Sequence, residues 1–165
     1  AYTAPFYYEE PVRQGVLTYK FGNAPARGKV FGRMLGEDLL SRGIDDFDLI
    51  SWVPLSAERY RRRGYDQAQI LAEAAAEVLG TKAVPLLRKS RDVSPQSRLR
   101  TPEERRANIS GCYVVRSADA VRGKRILLID DVITTGSTLS ECARMLLTAG
   151  AVSVRGAALA CHREE

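Results

Sequence analysis

Short runs of consecutive apolar residues alternate along this chain with longer segments in which apolar residues recur every three or four positions. A short apolar run bounded by polar turn residues is typical of a buried strand, and the longer spacing is typical of an amphipathic helix. The runs predict strands at 48–53, 82–84, 112–115, 126–129 and 152–160. Strands that alternate with helices predict one α/β domain over residues 1–165, with a mostly parallel, twisted sheet flanked by helices.

The helical segments have recognisable ends. The first begins at Pro25, a residue favoured in the first helical turn, and stops before Gly43. A second helix, with its apolar face at Ile70–Leu79, stops at Gly80, and a third, which begins after the 134–138 loop, stops at Gly150. A capping box at Thr101–Glu104 predicts a short helix that runs to about Asn108.

Two regions have a less regular pattern. Residues 86–100 show no usable periodicity, which predicts a mobile loop. Val16–Tyr19 is compatible with either a short strand or a turn of helix, and it lies in an aromatic-rich stretch, residues 1–24. Aromatic side chains in such a stretch more often pack onto the domain than stack on the bases of a nucleic acid, so we expect packing, with base stacking as the alternative.

Candidate chemistry is concentrated after the strand at 126–129, where Asp130 and Asp131 precede a loop of hydroxyl-bearing residues and one glycine. The loop residues are Thr134, Thr135, Gly136, Ser137 and Thr138. Ligands of open α/β sheets bind beyond the carboxyl ends of the strands. A glycine turn that leads into a helix presents free amides and the positive end of the helix dipole, and both favour a phosphate.

The paired acids indicate the rest of the ligand. Two carboxylates beside a phosphate site are suited to accept hydrogen bonds from the vicinal hydroxyls of a sugar, or to help hold a divalent cation. A ligand with a phosphate at one end and a diol beside it is a ribose phosphate. The alternative is an ordinary strand, turn and helix, in which the hydroxyls cap the helix and solvent covers the acids.

The charge of the chain is consistent with an anionic ligand. The net charge is +5 and the sequence pI is about 9.3. Four arginines follow the strand that ends at Val53, again on the ligand-binding side of a sheet, namely Arg59, Arg61, Arg62 and Arg63. The 86–108 segment contains a second basic group. Such clusters either bind phosphates or form a solvated surface that pairs with nearby acids.

Other classes of protein do not fit the sequence. Cys112, Cys142 and Cys161 are widely spaced and show no C-x-x-C pair, and His162 is the only histidine, so the spacing of a metal cluster is absent. Unpaired cysteines favour a reducing compartment. No apolar run reaches the ~18 residues of a transmembrane helix, and the first residues do not resemble a signal peptide. We therefore expect a cytoplasmic protein that does not insert into membranes.

The stretch from Ile126 to Thr138 resembles the signature of the type I phosphoribosyltransferases. The resemblance implies their fold, with a small N-terminal hood segment, and a ligand, phosphoribosyl pyrophosphate (PRPP), bound with Mg²⁺. Asp130 and Asp131 would bind the ribose hydroxyls and, mostly indirectly, the Mg²⁺, and residues 134–138 would bind the 5-phosphate. The arginines at 59 and 61–63 would contact pyrophosphate. A flexible loop would close over the site, and its basic residues are Arg88, Lys89, Arg91, Arg98 and Arg100.

Further segments resemble the ComF family of competence-associated, phosphoribosyltransferase-like proteins. They are Tyr19–Gly22, Arg63–Gln67, and the basic stretch from Gln96 to Asn108. Two departures stand out. Asp66 occupies a position where that family usually has Asn, and the paired cysteines of the family's N-terminal zinc ribbon are not present in this sequence.

The resemblance leads to two hypotheses. In the first, the protein is an enzyme that transfers phosphoribosyl from PRPP to a nucleophile, usually a nitrogen, with release of pyrophosphate and a link to DNA uptake. Thr134 stands where hypoxanthine-type members have an Asp, so purine salvage of that type is disfavoured. In the second, the protein senses PRPP without catalysis and binds single-stranded DNA or a competence protein. A homodimer is compatible with both.

Overall fold

A parallel sheet forms the centre of the molecule, whose computed structural model describes residues 1–91, 101, 103 and 109–162. The strands, in chain order, are β1 (Tyr2–Thr3), β2 (Phe6–Tyr7), β3 (Leu49–Trp52), β4 (Leu87–Lys89), β5 (Tyr113–Val115), β6 (Arg125–Ile133) and β7 (Ser153–Cys161). The order across the sheet is β1-β7-β6-β3, and β2 lies off this path, where it pairs with β7. All of these pairs are parallel, which confirms the predicted sheet.

The helices of the described residues are α1 (Val12–Phe21), α2 (Pro25–Ser41), α3 (Ala57–Arg63), α4 (Gln67–Val78), α5 (Ala118–Val121) and α6 (Ser137–Thr148). α2 begins at Pro25 as predicted. Gly43 follows its end with a positive φ of 66°, a conformation that glycine adopts without strain. Val16–Tyr19, which the sequence left open between strand and helix, is part of α1.

The two faces of the sheet support two hydrophobic clusters because successive side chains of a strand point to opposite sides. Leu127 and Ile129 of β6 pack in the cluster that includes α1, α2 and α4. Ile126 and Leu128 pack in the cluster that includes α6 and the short strands β4 and β5. β6, buried on both faces, is therefore the strand around which the core is built.

α2 and α4 approach one another closely along a row of glycines. Gly28, Gly32 and Gly36 are buried and recur at every fourth position of α2, so they lie on one helix face. A Cβ built on Gly32 would lie 2.6 Å from the Cβ of Ala74 and 2.7 Å from the carbonyl oxygen of Leu71. This face admits no side chain. The glycine pattern of α2 was not among the predicted features.

Several predicted elements differ in detail. β6 continues past both acids to Ile133, since Val132 and Ile133 still pair with Ala160 and Cys161 of β7. The strand predicted at 82–84 is reduced to a single bridge between Ala83 and Ile50. The helix predicted at 101–108 lies outside the described residues, apart from positions 101 and 103.

The prediction that residues 86–100 form a loop was wrong for Leu87–Lys89, which form β4 and pair antiparallel with β5. A strand this short has too few residues for alternation to reveal it, and its partner lies more than twenty positions away in the sequence. Arg88 and Lys89 therefore belong to a strand. Asp92–Arg100, which include Arg98 and Arg100, lie outside the described residues.

In the part of the chain that the structure describes, no helix is both long enough and apolar enough to cross a bilayer. This agrees with the absence of a transmembrane run in the sequence. The cytoplasmic location stays a prediction.

Candidate functional site

A cavity of about 370 Å³ opens near the carboxyl ends of β3 and β6, where the sequence placed the ligand. Its size lies in the range of small-molecule sites, about 300–1,000 Å³. Its charged lining residues are Lys20, Arg59, Arg63, Lys89, Asp130 and Asp131. Residues from α1, α3, β4 and β6 therefore meet at one place. Four of these six side chains are basic, so the cavity is suited to a polyanion.

The hydroxyl loop encloses a second, smaller cavity of about 30 Å³, which all five residues of 134–138 line together with Asp130. Gly136 turns the chain with a φ of 72°, and its carbonyl accepts the first helical hydrogen bond of α6 from Ser140, at 2.8 Å. The amides of the first turn have no acceptor within a helix and lie at the positive end of its dipole. The loop is therefore suited to an anion, and its binding of a phosphate stays a prediction.

The two acids differ in what surrounds them. Asp131 is only 6% exposed, and its Oδ2 accepts hydrogen bonds from Lys20 Nζ and from Gln67 Nε2, each at 2.9 Å. Its Oδ1 accepts from the amide of Val132 at 2.6 Å. Asp130 is partly buried and lines both cavities. Asp130 is thus the acid that links the two cavities.

The pKa values of the two carboxyls shift in opposite directions. Burial, together with the nearby charge of Asp131, raises the pKa of Asp130 well above its ordinary value. Burial alone would also raise the pKa of Asp131, but the Lys20 ammonium and the Gln67 amide stabilise the charged form and hold that pKa below its ordinary value. Of the two carboxyls, Asp131 is therefore the one that ionises more readily.

A network of hydrogen bonds holds Gln67, which contacts Asp131, and Tyr19, which precedes Lys20 in the chain. The Tyr19 hydroxyl donates to the carbonyl of Gln67 at 2.7 Å, the Tyr65 hydroxyl donates to the carbonyl of Tyr19, and Arg63 donates to the side-chain oxygen of Gln67. Neither Lys20 nor Gln67 was predicted as a site residue. Both lie inside the segments that resemble the ComF family, which was the only available signal.

The arginine cluster divides into two pairs. Ser56 caps α3 by accepting from the amide of Arg59, and Arg59 and Arg63 line the acid cavity. Arg61 and Arg62 line only an adjoining cavity of about 800 Å³. Arg62 also pairs with Glu58 on the exposed side of the helix. Of the four arginines predicted to contact pyrophosphate, the structure therefore brings Arg59 and Arg63 beside the acids, and Arg61 and Arg62 lie further out.

The small antiparallel sheet forms another wall of the site. Lys89 and Tyr113 are register partners, both line the acid cavity, and the Lys89 ammonium lies 5.6 Å from the centre of the Tyr113 ring. Arg88 is exposed, and Arg91 donates to the carbonyl of Ser110. Of the basic residues predicted to close over the site, Lys89 alone is among the described residues that line this cavity. Tyr113 was not predicted as a site residue.

The described residues fit Mg²⁺ only as a partner of a bound ligand. They contain no group of three or more His, Cys, Asp or Glu side chains arranged to hold a metal ion. Asp130 supplies hard carboxylate oxygens at the junction of the two cavities. Mg²⁺ commonly keeps several waters and binds one or two carboxylates together with substrate phosphates. Asp130 is therefore the residue suited to contact such a complex, directly or through water.

Asp66, the departure from the usual Asn, has a structural role. Its Oδ1 accepts from the amides of Ala68 and Gln69, at 3.1 and 3.3 Å, which caps α4. Its Oδ2 accepts from the amide of Leu55 at 3.0 Å, which ties the segment after β3 to the start of α4. Both oxygens thus serve as acceptors, and the residue holds the helix that carries Gln67.

The fold agrees with the family comparison. Residues 62–165 match the family model described as a phosphoribosyl transferase domain. The chain belongs to this family. Among solved structures, it is similar to the glutamine PRPP amidotransferase from B. subtilis, with 25% identity and a TM-score of 0.54. That match covers 78% of this chain and 25% of the amidotransferase.

Curated relatives confirm the resemblance to the ComF family. The chain is 32% identical over 155 residues to "Competence protein ComFC" of Streptococcus pneumoniae, a match that covers 94% of this chain. It is 31% identical over 153 residues to "DNA utilization protein YhgH" of Salmonella typhimurium, covering 90% of this chain. In both cases the match spans 66% of the relative's own length.

Proposed function

We propose that this protein binds PRPP, as its magnesium complex, in the cleft between the hydroxyl loop, residues 134–138, and helix α3, which carries Arg59 and Arg63. The observation that carries the proposal is that Asp130 lines both cavities. A ligand held at Asp130 therefore has an anion site on one side and a basic cavity on the other. PRPP has this layout, because a ribose separates its 5-phosphate from its pyrophosphate.

Each part of the ligand is assigned by local chemistry. The 5-phosphate would accept hydrogen bonds from the amides and hydroxyls of residues 134–138, and the ribose hydroxyls would donate to the acid pair, chiefly Asp130. The pyrophosphate would lie against Arg59, Arg63 and Lys89, which line the larger cavity. Mg²⁺, when bound, would neutralise part of the pyrophosphate charge.

We further propose that the protein transfers the phosphoribosyl group to an acceptor nitrogen. The acceptor's lone pair would form a bond to C1 of the ribose while the bond from C1 to the pyrophosphate oxygen breaks. That electron pair would leave on pyrophosphate, and the acceptor's proton would pass to water. Negative charge grows on the leaving group, so Arg59 and Arg63, placed in advance, would stabilise the transition state more than the bound substrate.

The test of binding is calorimetric titration of PRPP in the presence of Mg²⁺. We expect saturable binding by the natural protein and at least a hundredfold loss in a variant that combines Asp130→Ala with Asp131→Ala. Asp119→Ala, which removes an exposed acid paired with Arg122, is the matched control and should bind as the natural protein does. Unchanged binding in the double variant would remove the assignment of the site.

A second candidate function has its own observation. The 800 Å³ cavity is lined by Arg59, Arg61, Arg62 and Arg63, and the Phe21 ring at its edge is 74% exposed, with the Arg63 guanidinium 5.3 Å from its centre. Exposed aromatic rings among basic side chains suit the stacked bases and phosphates of single-stranded DNA. In this alternative the protein senses PRPP without catalysis and acts in competence through DNA or a protein partner.

Two assays separate the candidates. Pyrophosphate release with PRPP and a panel of nitrogenous acceptors is expected only for the enzyme. A mobility shift with single-stranded DNA at low and high salt is expected for the binding protein, with strong weakening at high salt and on Phe21→Ala. If no shift occurs at low salt, the DNA-binding candidate fails.

A further inference from the structure

A groove between two helices has an ordered arrangement of charge. It has a volume of about 540 Å³, lies where α2 and α4 meet, and shares no lining residue with the cavities of the candidate site. We call it the α2–α4 groove. Its apolar lining residues are Pro25, Ala26, Ile70 and Ala74. Its other lining residues are charged, and each helix contributes charge of one sign only.

The charged residues form two rows. On α2 they are Lys29 and Arg33, the basic row, and on α4 they are Glu73 and Glu77, the acidic row. The members of a row are four positions apart, so they lie on the same side of their helix. All four residues are exposed. Within the part of the chain that the structure describes, the basic row and Glu77 form no ion pair, and Glu73 accepts a hydrogen bond from the neutral Gln69.

The contacts of the α2 glycines show that α2 and α4 run in the same direction. A Cβ built on Gly28 would lie 2.7 Å from Ile70, and a Cβ built on Gly36 would lie 2.8 Å from Val78. Residue numbers therefore rise together along the two helices. Heights along one helix can thus be compared directly with heights along the other.

This comparison places the two rows at matching heights. Gly32 faces the interval from Leu71 to Ala74, so Glu73 is at about the height of Gly32 and hence of its neighbour Arg33. From there the basic row continues one turn, about 5 Å, towards the amino ends of the helices. The acidic row continues one turn towards the carboxyl ends.

A twofold axis would bring these rows together. If the axis runs along the groove, parallel to both helices, rotation exchanges the two edges of the groove and leaves heights unchanged. The basic row of each copy then faces the acidic row of the other, with Arg33 opposite Glu73, and symmetry forms each pair twice. The methylene stems of the basic row would cover the apolar lining of the other copy while their charged ends meet the acids.

We propose that this chain forms a symmetric homodimer through the α2–α4 groove, in which the basic row of each copy pairs with the acidic row of the other. Single exposed ion pairs contribute little to stability. In this contact several act together over an apolar lining that is removed from water. The inference goes beyond the proposed function and does not depend on PRPP binding, since no residue lining the candidate site takes part.

Analytical ultracentrifugation over a range of protein concentrations tests the proposal by measuring the dissociation constant of the dimer. The basic-row variant, Lys29→Glu with Arg33→Glu, sets like charges against each other and should weaken the dimer at least about a hundredfold. The acidic-row variant, Glu73→Lys with Glu77→Lys, should weaken it to a similar extent for the same reason.

The matched control is Arg27→Glu with Lys124→Glu. Both residues are exposed and lie outside the groove, and the change in net charge equals that of the basic-row variant. This control should dimerise as the natural protein does. Added salt should weaken the natural dimer because it screens the exposed pairs.

An equimolar mixture of the two row variants is the most specific measurement. One variant carries two acidic rows and the other carries two basic rows, so each repels its own copies and complements the other. The mixture should form a heterodimer about as tightly as the natural protein forms its homodimer. A chain that carries all four substitutions exchanges the signs of its rows and should regain the homodimer. Misfolded variants would not recover in this way, so recovery distinguishes lost pairing from lost folding.

Three outcomes would overturn the inference. The first is a natural protein that is monomeric at every concentration, in which case the groove is either solvated or the site of a different protein. The second is a dimer that both row variants retain, because that dimer would use another surface. The third is a mixture of row variants that stays monomeric. PRPP titration of the natural protein is a separate measurement, so failure of the dimer and failure of the proposed function are distinguished.

Discussion

Gly32 offers a quantitative test of the packing that supports the site. In the interior of an exposed helix, Gly→Ala normally stabilises by about 1 kcal/mol. At Gly32 the new Cβ would lie 2.6 Å from the Cβ of Ala74 and 2.7 Å from the Leu71 carbonyl oxygen. Neither atom belongs to a flexible side chain that can move aside, so α2 and α4 must separate. Overpacking of this kind costs about 1–3 kcal/mol. The Gly32→Ala variant should therefore lose up to about 2 kcal/mol of unfolding free energy once the helical gain is included.

Gly15 in α1 provides the matched control. Its added Cβ would meet only the Cζ of Phe31, at 3.4 Å, which is an ordinary contact. Gly15→Ala should thus gain about 0.5–1 kcal/mol from helix propensity. Chemical denaturation of the natural protein and of both variants measures their unfolding free energies. We expect the unfolding free energy to fall in Gly32→Ala and to rise in Gly15→Ala. Equal or greater stability of Gly32→Ala would show that the two helices do not approach as closely as described.

Two further predictions concern pH. Hydrogen bonds from the Arg125 side chain and amide lower the pKa of Asp48 from 3.8 to about 2. The ionised Asp48 therefore stabilises the folded protein above about pH 4, and this contribution is lost as the pH falls through about 2. The difference in melting temperature between the natural protein and Asp48→Asn should be full at neutral pH and vanish near pH 2; a constant difference would contradict this. The pKa of Asp130 is raised, chiefly by burial, so the carboxylate that the proposed PRPP site requires forms only as the pH rises. Calorimetry should show affinity that increases with pH, by up to about tenfold per unit, with net proton release, and Asp130→Asn should flatten the profile.

The sequence predicted the central elements because their signals are strong and local. The continuous apolar run of β6, the periodic faces of α2 and α4, and the glycine that ends α2 are each decided within a few residues. Weaker cases failed for physical reasons. The helical spacing of Leu139, Cys142, Leu146 and Leu147 predicts that all four share the apolar face of α6. Leu147 is nevertheless 48% exposed, and Met145 packs against the core instead. Periodicity gives the direction of a face only to within about one residue.

The candidate site was predictable only in part. Asp130, Asp131 and the hydroxyl loop are contiguous, so one motif revealed them together. The partners of Asp131 could not be found in this way, since Gln67 lies 64 positions away along the chain and Lys20 lies on another helix. Which acid is open and which is enclosed depends on those partners. The sequence therefore located the site but could not distinguish the roles of its two carboxylates.

The pairing of β3 with β6 has a practical consequence for dissecting this protein. The stretch that matches the family model starts at residue 62, yet β3 pairs with β6 from Leu49 to Trp52, and Lys20 lies earlier still. A polypeptide excised at that boundary would leave β6 with an unpaired edge and Asp131 without its cation. The folding unit thus begins well before residue 62, and truncations meant to isolate the matched domain should retain the first helix.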